Sequence, residues 1–404
     1  MRAQRAGLIG VLLSLAGIGL CAWLTFIHIG LMRGELLGGA ACGGDGTLFN
    51  CHAVTASAFG SVFGIPLSLW GLVGYLATLA LSFIAWQFPD WAGRALAALA
   101  GMAIIFCAID LVLLTAMLTQ IHYLCALCLL SYLVNLLLAV TAKQGLAQSW
   151  PAVIRQIPAA LMAWRPQPRV AVVWVVWGMV LTGAAGVLAV NAAATFAAQG
   201  DPAALRKQIS QFISNQKRAT VDVTGDPMLG APNGPIQVVE FSDFLCPICQ
   251  RASKLNPVLL AGHRREASFV FKHFPLDTTC NSAIGRMVHA GACQLAAATE
   301  CAHEQGKFWA LHDRIFVEGA KYRPDTLERD VAALGLDTAA WRACMDSGRG
   351  MEAVKRDIEE ATRLGLNSTP TYLINGIRNV GLFTPVTFEA FLDVLRHPDR
   401  ATPR

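Results

Sequence analysis

Charge is what this sequence lacks. Only 15% of its 404 residues are charged, against 54% hydrophobic. The shortage is local: the first 200 residues hold twelve charged side chains and the remaining 204 hold forty-seven. Such a composition excludes a disordered chain and an ordinary soluble enzyme, and it points to a membrane protein. The later half has no basic stripe, so nucleic acid is excluded as a partner. Internal repeats and low-complexity tracts are also missing. Cysteine is the opposite case. Twelve are present, at 21, 42, 51, 107, 125, 128, 246, 249, 280, 293, 301 and 344. That is a heavy load for a chain held in a reducing compartment. Two C-x-x-C motifs fall one in each half, so thiol chemistry is expected to link a membrane part to a soluble part.

A membrane-crossing helix needs roughly 20 apolar residues. Five stretches qualify, at 7–31, 66–88, 95–118, 120–142 and 169–192, the first being readable also as a secretory signal. With the N-terminus cytoplasmic, the cytoplasmic segments carry Arg2, Arg5, Arg94, Lys143, Arg155, Arg165 and Arg169, whereas the outer loops carry only Arg33. The positive-inside bias therefore fixes the orientation. Cys42, Cys51, the Cys125–Cys128 motif and everything after residue 193 then face one oxidising compartment, the outer or periplasmic side of the inner membrane. A fifth span is needed to bring the soluble half there. Residues 143–168 read as a cytoplasmic connector and 193–233 as a polar linker.

In the soluble half, PIQVVEF (235–241) reads as a buried strand. SDFLCPICQRASKLNPVLL then turns into a helix with Cys246 in its first turn. A thiolate there gains from the helix dipole and free N–H groups, so Cys246 should be acidic, with Cys249 beneath it as the resolving thiol. No second ligand pair stands nearby, which argues against zinc. A strand over 267–276 and a long helical stretch over about 281–364 follow, then NSTPTYLING. These pieces, with EQGKFWALHD inside the helical insertion, resemble the DsbA-like branch of the thioredoxin superfamily over most of 220–398. The resemblance implies that Pro370 is cis and that Thr369 and Pro370 present backbone to a substrate peptide. Cys280, Cys293, Cys301 and Cys344 are expected in structural disulfides, and three pairings are open. A continuous helix over 281–296 would hold Cys280 and Cys293 ~20 Å apart and forbid that one bridge.

In the membrane half, Cys125, Cys128 and Tyr132 share a face of the fourth span, with Cys128 the deeper thiol. Electrons leaving a dithiol in a bilayer need a hydrophobic two-electron acceptor, for which a quinone (ubiquinone or menaquinone) is suited, and a four-helix bundle can enclose its ring. Glycines 38, 39, 43, 44 and 46 make the loop bearing Cys42 and Cys51 flexible enough to shuttle a disulfide. Cys42, CHAVTASAFGSVFGIP (51–66) and CALCLLSYLVN (125–135) resemble the vitamin K epoxide reductase family over roughly 7–142. The resemblance implies that Cys42 and Cys51 are shuttle cysteines, that Cys125 exchanges with Cys51, that Cys128 works at the quinone, and that Ser57, Tyr132 and Asn135 belong to its pocket. Leu67 departs from the pattern, standing where animal members place a quinone-contacting asparagine. Asp110, costly in a bilayer, is either functional or satisfied by Asn135 or Tyr132. His122 reads as an interfacial residue or an aid to the Cys125 thiolate.

The expected architecture is an α-helical membrane bundle (1–142), a connector (143–168), a fifth transmembrane helix (169–192), a linker (193–233) and an α/β thioredoxin-fold, DsbA-like domain (234–400). The expected function is a quinone-dependent thiol oxidase with no metal, whose partners are reduced exported proteins and the lipid bilayer. Two other readings stay open: a membrane reductant carrier feeding a disulfide isomerase, and a non-catalytic metal-binding membrane protein.

Overall fold

The computed structural model describes residues 1–32, 35–38, 42, 48–57, 59–62, 64–162 and 201–398, with isolated positions between 178 and 193. The expected fifth span lies outside the described residues apart from those few positions. The chain divides into two units that meet at Asp201 and Pro202.

The first unit is built on four helices long and apolar enough to cross a membrane. They are α1 (Arg2–Met32), α3 (Leu67–Gln87), α4 (Pro89–Ala116, prolonged by a π-helical turn over Met117–Ile121) and α5 (Ala126–Leu146). A short helix α2 (Cys51–Ala56) and the two-residue strands β1 (Ser61–Val62) and β2 (Ile65–Pro66) fill the connection between α1 and α3. Helix α6 (Trp150–Met162) follows α5. Small residues let α1 and α3 approach closely, as expected where no hydrophobic effect drives helices together in lipid. A Cβ on Gly7 would lie 2.5 Å from the backbone nitrogen of Trp86, and one on Gly17 would collide with the Tyr75 ring. Two hydroxyl pairs join the same helices, Ser14 with Thr78 at 2.9 Å and Thr25 with Ser68 at 2.8 Å.

The second unit is a five-stranded mixed sheet covered by helices. Its strands are β3 (Met228–Gly230), β4 (Ile236–Ser242), β5 (Ala267–His273), β6 (Thr371–Ile374) and β7 (Ile377–Val380), in the order β3-β5-β4-β6-β7. β4 and β5 pair in parallel and the other neighbours are antiparallel. β4 is buried on both faces apart from a half-buried Gln237, as its β-branched run requires of a central strand. Helix α7 (Pro202–Ser214) joins the domain through Phe212 against Phe391, with ring centroids 6.4 Å apart. The expected linker 193–233 thus contains an edge strand and a packed helix of this domain.

The continuous helix expected from residue 281 does not form. After α8 (Pro247–Ala261) and β5, helix resumes only at α9 (Ala292–His303). The physical cause is side-chain capture of backbone groups, which competes with helix. Asp277 Oδ2 accepts from the N–H groups of Gly291 (2.8 Å) and Cys293 (3.3 Å), while Asn281 Nδ2 donates to the Pro275 carbonyl (2.8 Å). Gly291 supplies a φ of +93° where the chain enters α9. This folded loop brings the Cα atoms of Cys280 and Cys293 to 6.0 Å, and they form a disulfide, contrary to the expectation drawn from an uninterrupted helix. The second bridge joins Cys301 to Cys344. All four insertion cysteines are therefore structural, as expected.

Candidate active site: two dithiol centres and a helix-lined pocket

The centre of the second unit is set at the N-terminus of α8. Cys246 is the N-cap residue and Pro247 occupies the first helical position, where it has no hydrogen bond to lose. Asp243 shapes the turn before it. Its Oδ1 accepts from the N–H groups of Leu245 (2.7 Å) and Cys246 (3.1 Å). The Cys246 thiol is pulled down to about 6 by the hydrogen bond from the Cys249 thiol, against burial and with help from the N–H groups of Cys249 and Ile248 and from Thr369. Cys249, fully buried, is pushed up by burial and by the same partnership. One thiolate and one thiol are what a nucleophile with a resolving partner requires. The Thr369–Pro370 peptide bond is cis, and the Thr369 carbonyl oxygen lies 3.7 Å from the Cys246 sulfur. Beneath the pair, the buried Glu240 carboxyl is raised to about 7 by desolvation, and it accepts a hydrogen bond from Asn256, whose oxygen in turn accepts from the Tyr372 hydroxyl (3.0 Å).

The membrane-half centre joins loop to helix. Cys125 is the N-cap of α5 and is disulfide-bonded to Cys128, with Cα atoms 5.1 Å apart. The loop before α2 is zipped onto the residue preceding Cys125: Asn50 N–H donates to the Leu124 carbonyl (2.8 Å), and Leu124 N–H donates to that of Leu48 (2.9 Å). Asn50 also caps α2, its side chain accepting from Ala53 N–H at 3.0 Å. These contacts fix Cys51 at the start of α5. Cys42 and Cys51 stand as thiols. Cys51 is drawn down to about 7 by the hydrogen bond from Cys42, against burial and with help from the N–H groups of Leu127 and Ala126. Those two N–H groups belong to the first turn of α5, so the Cys51 sulfur lies at the mouth of the very helix whose N-cap sulfur is Cys125. Cys42, buried like Cys51, is raised by its bond to Cys51. Gly38, at φ +104°, leaves room for it: a Cβ there would sit 2.6 Å from the Cys42 sulfur.

Next to Cys128 the four-helix unit encloses a pocket of about 210 Å³. That far exceeds the ~10–15 Å³ one water needs, so a ring-sized ligand can enter. Tyr132, Asn135, Asp110, Tyr75 and Leu67 line it together with Cys128. Asn135 Nδ2 donates to Asp110 Oδ2 (2.8 Å), and the Tyr75 hydroxyl donates to Asn135 Oδ1 (2.7 Å). Among the described residues no three His, Cys, Asp or Glu side chains come together as a metal site.

Two family models match this chain. Residues 8–142 match the vitamin K epoxide reductase family, and residues 237–393 match the DSBA-like thioredoxin domain. The chain fuses the two. Each matched domain carries one C-x-x-C dithiol. The Na(+)/H(+) antiporter NhaA 3 of Salinispora tropica is 33% identical over 170 residues, which are 42% of this chain and 24% of that protein. NhaA 1 of Salinispora arenicola is 30% identical over 184 residues, or 46% and 27%. The chain thus spans about a quarter of the length of these relatives. Among solved structures, a thioredoxin-like oxidoreductase from Silicibacter pomeroyi DSS-3 covers 46% of this chain and 96% of its own at 24% identity and a TM-score of 0.37. BdbD from Bacillus subtilis covers 44% and 95% at 19% identity and a TM-score of 0.37.

Within the vitamin K epoxide reductase domain, Cys51, Cys125 and Cys128 come together, and Tyr132 and Asn135 face the pocket. Ser57 stands apart from that lining. Its hydroxyl donates to the Val54 carbonyl (2.7 Å) and accepts from Phe59 N–H (3.3 Å), closing the turn after α2. His122 is exposed and bonds the Gln120 carbonyl (3.1 Å). Tyr75 was not foreseen, because an isolated tyrosine in an apolar span looks like packing. Asp243 and Asn50 were missed too. Each precedes its cysteine by one to three residues, the spacing of a capping side chain, and that was the available signal.

Proposed function

We propose that the chain is a quinone-dependent protein thiol oxidase acting on the periplasmic side of the inner membrane. Exported proteins bearing paired thiols are its substrates. The DsbA-like domain accepts their electrons at Cys246–Cys249, with Thr369 and Pro370 presenting backbone to the substrate peptide. The reduced outer pair then passes two electrons to the Cys42–Cys51 disulfide. Next, the Cys51 thiolate attacks Cys125. The Cys125–Cys128 bond breaks, a Cys51–Cys125 bond forms, and Cys128 leaves as thiolate. Attack by Cys42 on Cys51 restores the loop disulfide and releases Cys125, so that Cys125 and Cys128 now carry the electron pair. A bound quinone supplies a two-electron, two-proton sink. Cys128, Tyr132 and Asn135 are the residues that would hold it, and the size and lining of the pocket fit such a ring.

The observation that carries this reading is the seat of Cys51. A thiolate stabilised by the first-turn N–H groups of α5 lies at the entrance of the helix whose first residues form the disulfide it must open. Same-side access of the outer pair follows from the expected fifth span. The test is purified full-length protein given a reduced unfolded substrate and a quinone. Quinone reduction is expected, together with its loss in Cys128→Ala. In cells the Cys246–Cys249 pair should be found oxidised, and a reduced pair at steady state would favour electron flow in the other direction.

A further inference from the structure

Asp243 poses an electrostatic problem at the outer centre. Its carboxylate is fully buried and accepts four hydrogen bonds: Leu245 (2.7 Å) and Cys246 (3.1 Å) N–H on Oδ1, and Leu276 N–H (2.6 Å) and His289 Nδ1 (3.0 Å) on Oδ2. The acceptor satisfies the buried Leu245 N–H and shares the Cys246 N–H with the Asp243 carbonyl (3.2 Å). Yet a buried negative charge bonded to the backbone of the nucleophile opposes formation of the Cys246 thiolate. The two residues between the cysteines, Pro247 and Ile248, carry no charge to offset it.

His289 does. It sits on the loop closed by the Cys280–Cys293 disulfide, whose backbone is tied to the active-site side by two bonds to the Leu276 carbonyl, from Val288 (3.0 Å) and His289 (2.9 Å). Its side chain is only 17% exposed. We propose that His289 is a positioning residue of the outer dithiol, which neutralises Asp243 and thereby keeps Cys246 a thiolate and the Cys246–Cys249 couple oxidising. The assignment rests on the oxidase reading above and deepens it. In support, the imidazole is raised above its ordinary value by the Asp243 hydrogen bond, against burial and with further help from the charges of Asp243 and Cys246, so the ring and the thiolate stabilise one another. A reduced state stabilised in this way makes a dithiol the stronger oxidant. The fold thus makes a disulfide-closed loop responsible for the acidity of a thiol on another element.

The test is the pH dependence of Cys246 alkylation in full-length, detergent-solubilised protein, read at the peptide level, beside its equilibrium with glutathione. His289→Gln keeps a hydrogen-bond donor to Asp243 but removes the charge. It should raise the alkylation midpoint by about one pH unit, leaving about ten-fold less thiolate below the midpoint, and shift the glutathione equilibrium toward the disulfide. His289→Lys should restore the wild-type midpoint, and so should Asp243→Asn combined with His289→Gln. An unchanged midpoint in His289→Gln would overturn the assignment, and so would an equal rise in His289→Lys, which would mark a purely structural loop effect. The titration needs no quinone. Failure of quinone reduction with these midpoints intact would therefore remove the oxidase reading alone.

Discussion

Cys246 and Cys51 use the same device at two places: a sulfur at a helix N-terminus, hydrogen-bonded by a second thiol that stays protonated. For Cys246 the folded value, about 6, lies below the ordinary thiol value of 9.0. A depressed value means that the thiolate's contribution to the stability of the reduced domain is complete above pH 9 and is lost as pH falls through about 6. Alkylation of Cys246 should accordingly be half-maximal near pH 6 and fall about ten-fold for each further pH unit of acidification, with Cys249 unreactive throughout. A midpoint near 9 would show that the helix and Cys249 do not act on this sulfur. In the pocket, Gly17 backs the Tyr75 ring. Gly17→Ala should displace Tyr75 from Asn135 and weaken quinone use, raising the apparent KM for quinone while leaving Cys246 alkylation unchanged. The two C-x-x-C pairs were legible in the sequence because that motif carries its own spacing. Tyr75 and Asp243 were not, because their roles depend on partners on other elements, Asn135 and His289, which no local pattern announces.

Elements hold these residues in place by few contacts. Asn50 both caps α2 and ties the loop to Leu124, so Asn50→Ala should cost about 1 kcal/mol of local stability and slow exchange between Cys51 and Cys125. Trapping efficiency of the Cys51–Cys125 mixed disulfide in a Cys42→Ala/Cys128→Ala background would measure it, and undiminished trapping would show that the cap does not position the thiol. The Cys301–Cys344 bridge closes a 43-residue separation. Its removal should cost about 2–5 kcal/mol, seen as a lower thermal midpoint of the thioredoxin-fold unit. The central strand and the start of α8 were readable because their hydrophobic runs and their proline act locally. The segment after β5 was misread as helix. Asp277 and Asn281 draw its backbone into turns, and the long-range disulfide from Cys280 to Cys293 rewards that shape with closure that no helical periodicity could anticipate.

At the scale of the whole molecule, the two composition classes correspond to two folded units: one with helices able to cross a membrane, the other a thioredoxin fold. Each carries a helix-capping cysteine paired with a second cysteine three residues on. That repetition underlies the proposed relay, in which the disulfide of one dithiol centre is handed to the next. The division into an apolar half and a charged half could be read from charge distribution alone. The seat of Cys51 over the CALC helix could not, since it depends on Leu48, Asn50 and Leu124 meeting across seventy residues of chain. The most direct measurement is the stoichiometry of quinone reduction by the purified full-length protein supplied with a reduced unfolded substrate. We predict one quinone reduced for each pair of substrate thiols oxidised, and none in Cys128→Ala. Thiol oxidation without quinone reduction, or undiminished quinone reduction in Cys128→Ala, would contradict the relay.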